Sequence, residues 1–139
     1  MKLSERVALI TRPDRISEAL YANSAAVLEF AFQADSNVRE LIAGGREALP
    51  IIEREIRRNG RTLHDISLAC LVHILSILDV KEAARIVRPI FPTVVKRPGS
   101  FAATFLARAL RMAHKLPVGS GELHFTPQEL QETLKDIET

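Results

Sequence analysis

The side chains best suited to chemistry in this 139-residue chain are its four histidines, His64, His73, His114 and His124. His64 and His73 are nine residues apart, so they do not share one face of a helix. No two histidines have the spacing of three or four residues that helix-borne metal ligands use, and no HExxH motif occurs. The pattern predicts no metal site and no cofactor. It favours His73 as a hydrogen-bonded histidine of the core.

The sequence also lacks the common catalytic motifs. It has no P-loop, no GxGxxG and no GxSxG, and the short GSG segment at 119–121 lacks the lysine of a phosphate-binding loop. Glu53 and Glu55 are two residues apart and therefore point to different sides of a helix. We predict that the protein is not an enzyme. A helical protein with a small-ligand or catalytic pocket near Cys70 and His73 is the alternative.

Charge is distributed unevenly along the chain. The formal net charge is only +2, yet residues 80–115 carry eight basic side chains against one acid, Glu82, an excess of +7. Residues 116–139 carry five acids against Lys135, an excess of −4. The candidate binding residues are the eight cations: Lys81, Arg85, Arg88, Lys96, Arg97, Arg108, Arg111 and Lys115.

Helical spacing groups six of these cations into two stripes. Three of them, from Lys81 to Arg88, share one helix face, and three more, from Arg108 to Lys115, share a face of a later helix. They can be the solvated sides of buried helices, or the acidic C-terminal helix can fold back and neutralise them. As a functional surface they predict a protein partner, an acidic one, with a nucleic-acid phosphate backbone as the second candidate. The four arginines of the stripes are the preferred contacts, because arginine binds carboxylates and phosphates bidentately.

Cysteine usage and hydropathy give expectations about compartment. One cysteine, Cys70, excludes an internal disulfide and a cysteine-based zinc site, and its apolar surroundings predict a small buried hydrophobe. The N-terminal apolar run VALI is flanked by charges and is not typical of a signal peptide. We therefore expect a cytoplasmic protein that does not bind membranes.

The element that must position these groups is the stretch 61–78, RTLHDISLACLVHILSIL. From Leu63 onward it is apolar on nearly every side, which predicts a helix covered on several faces. It is too short and too interrupted to span a bilayer, which takes about 20 largely apolar residues. Thr62 is the expected N-cap, with Asp65 favourably placed in the first turn.

Helix signals also fill the rest of the chain, and aromatic residues are scarce, so we predict an all-α fold in one domain, 1–139. The clearest signal is a capping box at Thr126 and Glu129, which predicts a C-terminal capping helix over 126–138 after a loop at 116–125. Pro89 and Pro92 predict a kink or break within 80–97. The remaining predicted helices cover 4–11, 14–34 (with a division at Asn23-Ser24), 36–42 (capped by Asp35 or Ser36 and ended by Gly44-Gly45), 47–59 (ended by Asn59-Gly60), 80–97 (capped by Asp79) and 101–115 (capped by Ser100, after a turn at 97–99).

The helices also pair by character, an amphipathic one before a mostly apolar one. EALPIIEREIRR precedes LHDISLACLVHILSIL, and the helices at 80–97 and 101–115 repeat the order about 35 residues later. With Pro50 early in its first helix, this pattern resembles the HEAT and armadillo class of α-helical repeats. The resemblance implies a short right-handed α-solenoid of about three helical hairpins over residues 13–115. An irregular helical bundle is the alternative. The apolar segment SAAVLEFAFQ makes a second copy of the chain a further candidate partner.

Overall fold

A computed structural model of the protein describes residues 1–12, 25–97, 100–116 and 125–138. These residues contain α-helices and one short 3₁₀ helix, Gly45–Glu47, with no β-strand among them, which confirms the all-α prediction. The nine α-helices of this part of the chain are α1 (Leu3–Ile10), α2 (Ala25–Ala34), α3 (Ser36–Ala43), α4 (Ala48–Asn59), α5 (Asp65–Leu78), α6 (Val80–Val87), α7 (Phe91–Val94), α8 (Phe101–Ala113) and α9 (Pro127–Glu138).

Most of the predicted caps are confirmed, because a cap depends on residues only two or three positions apart. The side chains of Asp35, Asp79 and Ser100 accept hydrogen bonds from backbone N–H groups at the starts of α3, α6 and α8. At α9 the capping box is complete. The Glu129 amide donates to Thr126 Oγ1 at 3.2 Å, and the Thr126 amide donates to Glu129 Oε1 at 3.0 Å.

The prediction that Thr62 caps the central helix is wrong. The amides of Thr62 and Leu63 both donate to the Asn59 carbonyl, so the chain continues to turn for several residues after α4. Thr62 Oγ1 donates to the same carbonyl at 3.1 Å and is not available to a following helix. The cap of α5 is His64, whose Nδ1 accepts from the Ile66 amide at 3.2 Å.

Two other predictions for the middle of the chain are confirmed. Residues 66–75 of α5 are all buried, including Cys70, as expected for a central helix that is apolar on every side. The predicted break between 80 and 97 falls between α6 and the single turn α7; Pro89 lies in it, and Pro92 lies in the first turn of α7. The predicted helix before residue 25, with the division at Asn23-Ser24, and residues 98–99 and 117–124, which include His124, lie outside the described residues.

Helix α5 lies at the centre of the fold and contacts α3, α4, α6 and α8. The N-termini of α5 and α8 meet, because Asp65 contacts Ser100. Further along, His73 of α5 packs against Phe105 of α8, so the two helices are parallel. Helices α4 and α6 are also parallel to each other. Glu53 contacts Arg85 along their length, and Arg61 contacts Pro89 just after their ends. Helix α2 packs against α5 and α8 from another side, and α9 packs along α8.

The Asp65 carboxylate joins the two central helices. Its Oδ1 accepts from Ser100 Oγ at 2.5 Å and from the Ala102 amide at 3.2 Å, and its Oδ2 accepts from the Phe101 amide at 2.7 Å. These amides are at the N-terminus of α8, where backbone donors lack partners within the helix and the helix dipole favours a negative charge. One carboxylate thus caps a helix that begins 35 residues later.

We expect Asp65→Ala to lower the free energy of unfolding by about 2–3 kcal/mol, since three part-buried donors lose an ionised acceptor. The matched change Asp79→Ala removes an exposed cap that acts within its own helix and should cost about 1 kcal/mol. Urea unfolding followed by circular dichroism measures both. Equal losses for the two variants would contradict the role of Asp65 as a bridge between helices.

Candidate functional site

The structure does not bring the eight predicted cations onto one surface. Lys81 and Lys115 follow the C-termini of α5 and α8. Lys96 and Arg97 precede the N-terminus of α8, at the opposite end of the two parallel helices. A helix of 14 residues such as α5 separates these ends by about 20 Å. A single basic face that includes all eight side chains is therefore not formed by the helices described here.

Arg85 and Arg88 of the first stripe both contact other parts of the chain. Arg85 Nη2 donates to Glu53 Oε1 at 2.8 Å and its Nε donates to Glu82 Oε2 at 2.5 Å. The hydrogen bond from Arg85 is the main reason that the pKa of Glu53 is lowered. Arg88 Nη2 donates to the Ile137 carbonyl at 2.8 Å, near the end of α9. These arginines serve contacts between helices.

The arginines of the second stripe point inward rather than to solvent. Arg111 Nη1 donates to Thr133 Oγ1 at 3.0 Å and lies 3.5 Å from Asp136 Oδ2, both on α9. Arg108 lies 3.6 Å from Glu29 of α2, and its guanidinium is 5.6 Å from the centroid of the Phe105 ring. The acidic C-terminal helix therefore folds back onto Arg111, as one of the explanations from sequence expected.

A different group of cations forms an exposed surface, which we call the basic edge: Arg57, Arg58, Arg61, Lys96 and Arg97. Arg57 and Arg58 are in the last turn of α4, and Arg61 follows it. Arg61 Nη2 donates to the Pro89 carbonyl at 3.3 Å, and Arg97 Nη2 donates to the Arg61 carbonyl. These two contacts hold the end of α4 beside the segment that follows α7, so cations from two distant parts of the chain lie together.

Acids near the basic edge compensate part of its charge. Arg57 Nε pairs with Glu53 Oε2 at 2.7 Å, although the Arg57 side chain remains 64% exposed. Glu55 accepts a hydrogen bond from Asn59, and both Asp65 oxygens accept bonds at the start of α8, but these uncharged donors do not neutralise a carboxylate. The five cations of the basic edge exceed these three acids by two, so the surface is positively charged.

A cleft of about 330 Å³ opens next to the basic edge. Lys96 and Arg97 lie on one side of it, and α8 and α9 form the others. The remaining lining side chains are mostly apolar and come from the segment after α7, from α8 and from the start of α9: Val95, Ser100, Phe101, Thr104, Phe125, Pro127, Leu130 and Gln131. The basic edge and this cleft form one continuous surface, which we call the docking surface.

A second polar site lies where α2, α5 and α8 meet. Glu29 Oε1 is 3.8 Å from His73 Nδ1, and Arg108 approaches the other oxygen of the same carboxylate. His73 is only 4% exposed, and neither its Nε2 nor Arg108 Nη1 has a hydrogen-bond partner among the protein atoms described. The cleft beside them measures about 40 Å³, which is room for a few water molecules but not for an organic substrate.

Burial determines the ionisation of the two groups that the sequence singled out in α5. It lowers the pKa of His73, with a smaller opposing effect from Glu29 and a further lowering from Arg108. It raises the pKa of the Cys70 thiol, which is fully buried and therefore unreactive as a nucleophile. Cys70 is a small core hydrophobe, as predicted. His73 is a core histidine, but the hydrogen bond expected for it is replaced by a longer contact to Glu29.

Reasoning from sequence missed three cations of the docking surface, Arg57, Arg58 and Arg61. The run REIRRNGR at 54–61 carries a signal, because three of its four arginines fall at the end of a helix and in the turn after it. The run lies before residue 80, outside the segment whose excess of positive charge pointed to a binding surface. Glu29 had no comparable signal, since it is 44 residues from its partner His73.

Comparisons with known proteins add no assignment: no family model matches the chain, and neither curated proteins nor solved structures gave a significant match. Among the described residues, no three histidine, cysteine or acidic side chains gather closely enough to hold a metal ion. In the same part of the chain, no helix is long and apolar enough to cross a membrane.

The lowered pKa of His73 predicts a loss of stability in mild acid. Below about pH 6.5 the unfolded chain takes up a proton at this histidine while the folded chain does not, so unfolding becomes more favourable as the pH falls. His73→Leu should remove this contribution, which amounts to at most about 1.4 kcal/mol per pH unit. The free energy of unfolding, measured by urea titration between about pH 7.5 and 5, should therefore fall less steeply in the variant.

The matched control is His114→Gln, because His114 is exposed at the end of α8. It should leave the slope of stability against pH as it is in the unchanged protein. A His73→Leu variant that retains the full slope would contradict the assignment of the acid sensitivity to this buried imidazole.

Proposed function

We propose that this chain is a non-enzymatic protein-interaction module that binds an acidic segment of a partner protein through the docking surface. The observation that carries the proposal is the pair of contacts Arg61 to Pro89 and Arg97 to Arg61. They gather exposed cations from two segments at one edge, next to an apolar cleft. The four arginines of the predicted stripes are instead engaged by Glu53, Glu82, Glu29 and α9.

The electrostatics of the basic edge suit an extended acidic chain. Two unit charges 4 Å apart in water attract each other by only about 1 kcal/mol, so binding requires several cation–carboxylate contacts at once. Arg57, Arg58 and Arg61 follow one another over little more than a helical turn, and Lys96 and Arg97 extend the row. Positive charge arranged in this way speeds association with an acidic partner and weakens as salt is added.

We propose further that the helices form the short α-solenoid predicted from the sequence. In it the hairpins α4–α5 and α6–α8 would stack in parallel, with their equivalent helices in contact. Asp65 contacts Ser100 at an offset of 35 residues, and Glu53 contacts Arg85 at an offset of 32. Offsets of this size are typical of α-solenoids, which bind partners along extended surfaces built from successive repeats.

Nucleic acid is the second candidate partner, since phosphates would also bind the cations of the basic edge. The neighbouring cleft argues for protein instead. Its two phenylalanines, Phe101 and Phe125, are half-buried walls rather than exposed rings on which bases would stack. The proposal assigns the protein to the cytoplasm, because nothing in the chemistry of its one buried cysteine requires an oxidising compartment.

A double charge reversal at the basic edge tests the function. Arg58→Glu with Lys96→Glu should weaken binding of a fluorescein-labelled deca-glutamate peptide at least about 10-fold at moderate salt, about 0.1 M, measured by fluorescence anisotropy. The matched control, Lys81→Glu with Lys115→Glu, changes the net charge by the same amount at the opposite end of α5 and α8. All four side chains are exposed, so neither variant should unfold the protein.

The control variant should keep its affinity within about threefold, because distant charges are screened beyond about 10 Å at moderate salt. Equal losses in both variants would show that net charge alone drives binding and would overturn the proposed surface. A single-stranded oligonucleotide that binds more tightly than the peptide, with a steep loss across salt, would favour the nucleic-acid candidate.

A further inference from the structure

The cleft of the docking surface has the chemistry of a pocket for one apolar side chain. Val95 and Leu130 are nearly buried at its base, and Phe101 and Phe125 are half-buried along its walls. The hydroxyl of Ser100, which also faces this region, is already engaged, since it donates to Asp65 and accepts from the Ala103 amide. The cleft therefore offers a ligand an apolar surface, with the cations Lys96 and Arg97 at its rim.

Two other clefts among the described residues are less suited to an acidic segment. The one between α4 and α6, of about 410 Å³, also has apolar walls (Leu49, Pro50 and Ile86) and two arginines, but three acids, Glu53, Asp79 and Glu82, line it as well. The one beside His73 is closed to anything larger than water. Of these three clefts, the one beside the basic edge joins apolar walls to rim cations without an acid among its lining residues.

We infer that this cleft receives a single large apolar side chain of the partner, and that the module recognises an acidic segment with one such residue, leucine or phenylalanine, between its carboxylates. The inference rests on the proposed function and specifies the partner's chemistry. Charge complementarity identifies the occupant, because Lys96 and Arg97 at the rim attract carboxylates that flank the inserted side chain. A neutral or basic apolar segment has no such partners at the rim.

The inserted side chain should supply a large part of the specificity. An apolar anchor buried in a pocket and surrounded by rim contacts is the usual form of an interface hot spot. Full burial of a leucine or phenylalanine side chain corresponds to an affinity gain of about 10- to 100-fold. Exposed cation–carboxylate pairs contribute less each and mainly raise the association rate.

Two labelled peptides test the inference, one rich in glutamate and aspartate with a central leucine and one identical except for a central serine. The leucine peptide should bind the unchanged protein about 10-fold or more tightly than the serine peptide in anisotropy titrations. Thr104 lines the cleft, so Thr104→Leu should narrow it and reduce the preference, while both peptides keep the affinity that the basic edge provides. Thr104→Val keeps the volume of the side chain and should preserve the preference.

A measurement on the unchanged protein does not depend on the folding of these variants. Methyl resonances of Val95 and Leu130 should shift on titration with the leucine peptide and not with the serine peptide, while those of Leu75, in the core of α5, stay in place. Equal affinity for the two peptides with no shift at Val95 and Leu130 would overturn the anchor pocket. If that shared affinity were still lost in the Arg58→Glu, Lys96→Glu variant, the proposed function would stand. Failure of both peptides to bind would overturn both.

Discussion

The arrangement of the molecule depends on the carboxylate of Asp65, which caps α8 from the first turn of α5. An uncapped helix start in a part-buried place leaves backbone donors without partners, and each would cost about 1–3 kcal/mol. Because the carboxylate belongs to a different helix, satisfying those donors also sets where α8 lies. With their starts joined, α5 and α8 run side by side, and Lys96, Arg97 and the cleft are brought to the end of α4. The docking surface depends on this contact together with the hydrogen bonds of Arg61 and Arg97.

Charge in this protein divides into pairs that hold helices together and cations that stay exposed. The arginines of α6 and α8, with Arg88 just after α6, contact acids and carbonyls of α2, α4 and α9, which suits positions where a long side chain crosses a helix interface. Arg58 and Lys96, near the ends of α4 and α7, stay exposed and supply positive charge that a partner can meet.

Local chemistry made much of the fold predictable. Caps at Asp35, Asp79 and Ser100, the capping box of α9 and the break at Pro89 depend on neighbours within a turn, so residue types and spacing were sufficient. Thr62 was the exception, because its hydroxyl donates a hydrogen bond to the Asn59 carbonyl and therefore does not cap α5. The burial of α5 followed from a sequence that is apolar on every side.

The candidate site followed from sequence only in part. The sequence by itself determined that the protein is helical, that 66–75 are buried and that positive charge is concentrated between residues 80 and 115. Only the tertiary structure decided which cations are exposed. Spacing of three and four residues shows which side chains share a face, but not whether that face meets solvent or a helix far away in sequence. Arg111 and Arg58 are both arginines on predicted amphipathic helices. In the structure Arg111 contacts α9, while Arg58 is exposed. The difference arises because α8 and α9 pack through contacts between residues more than 20 positions apart.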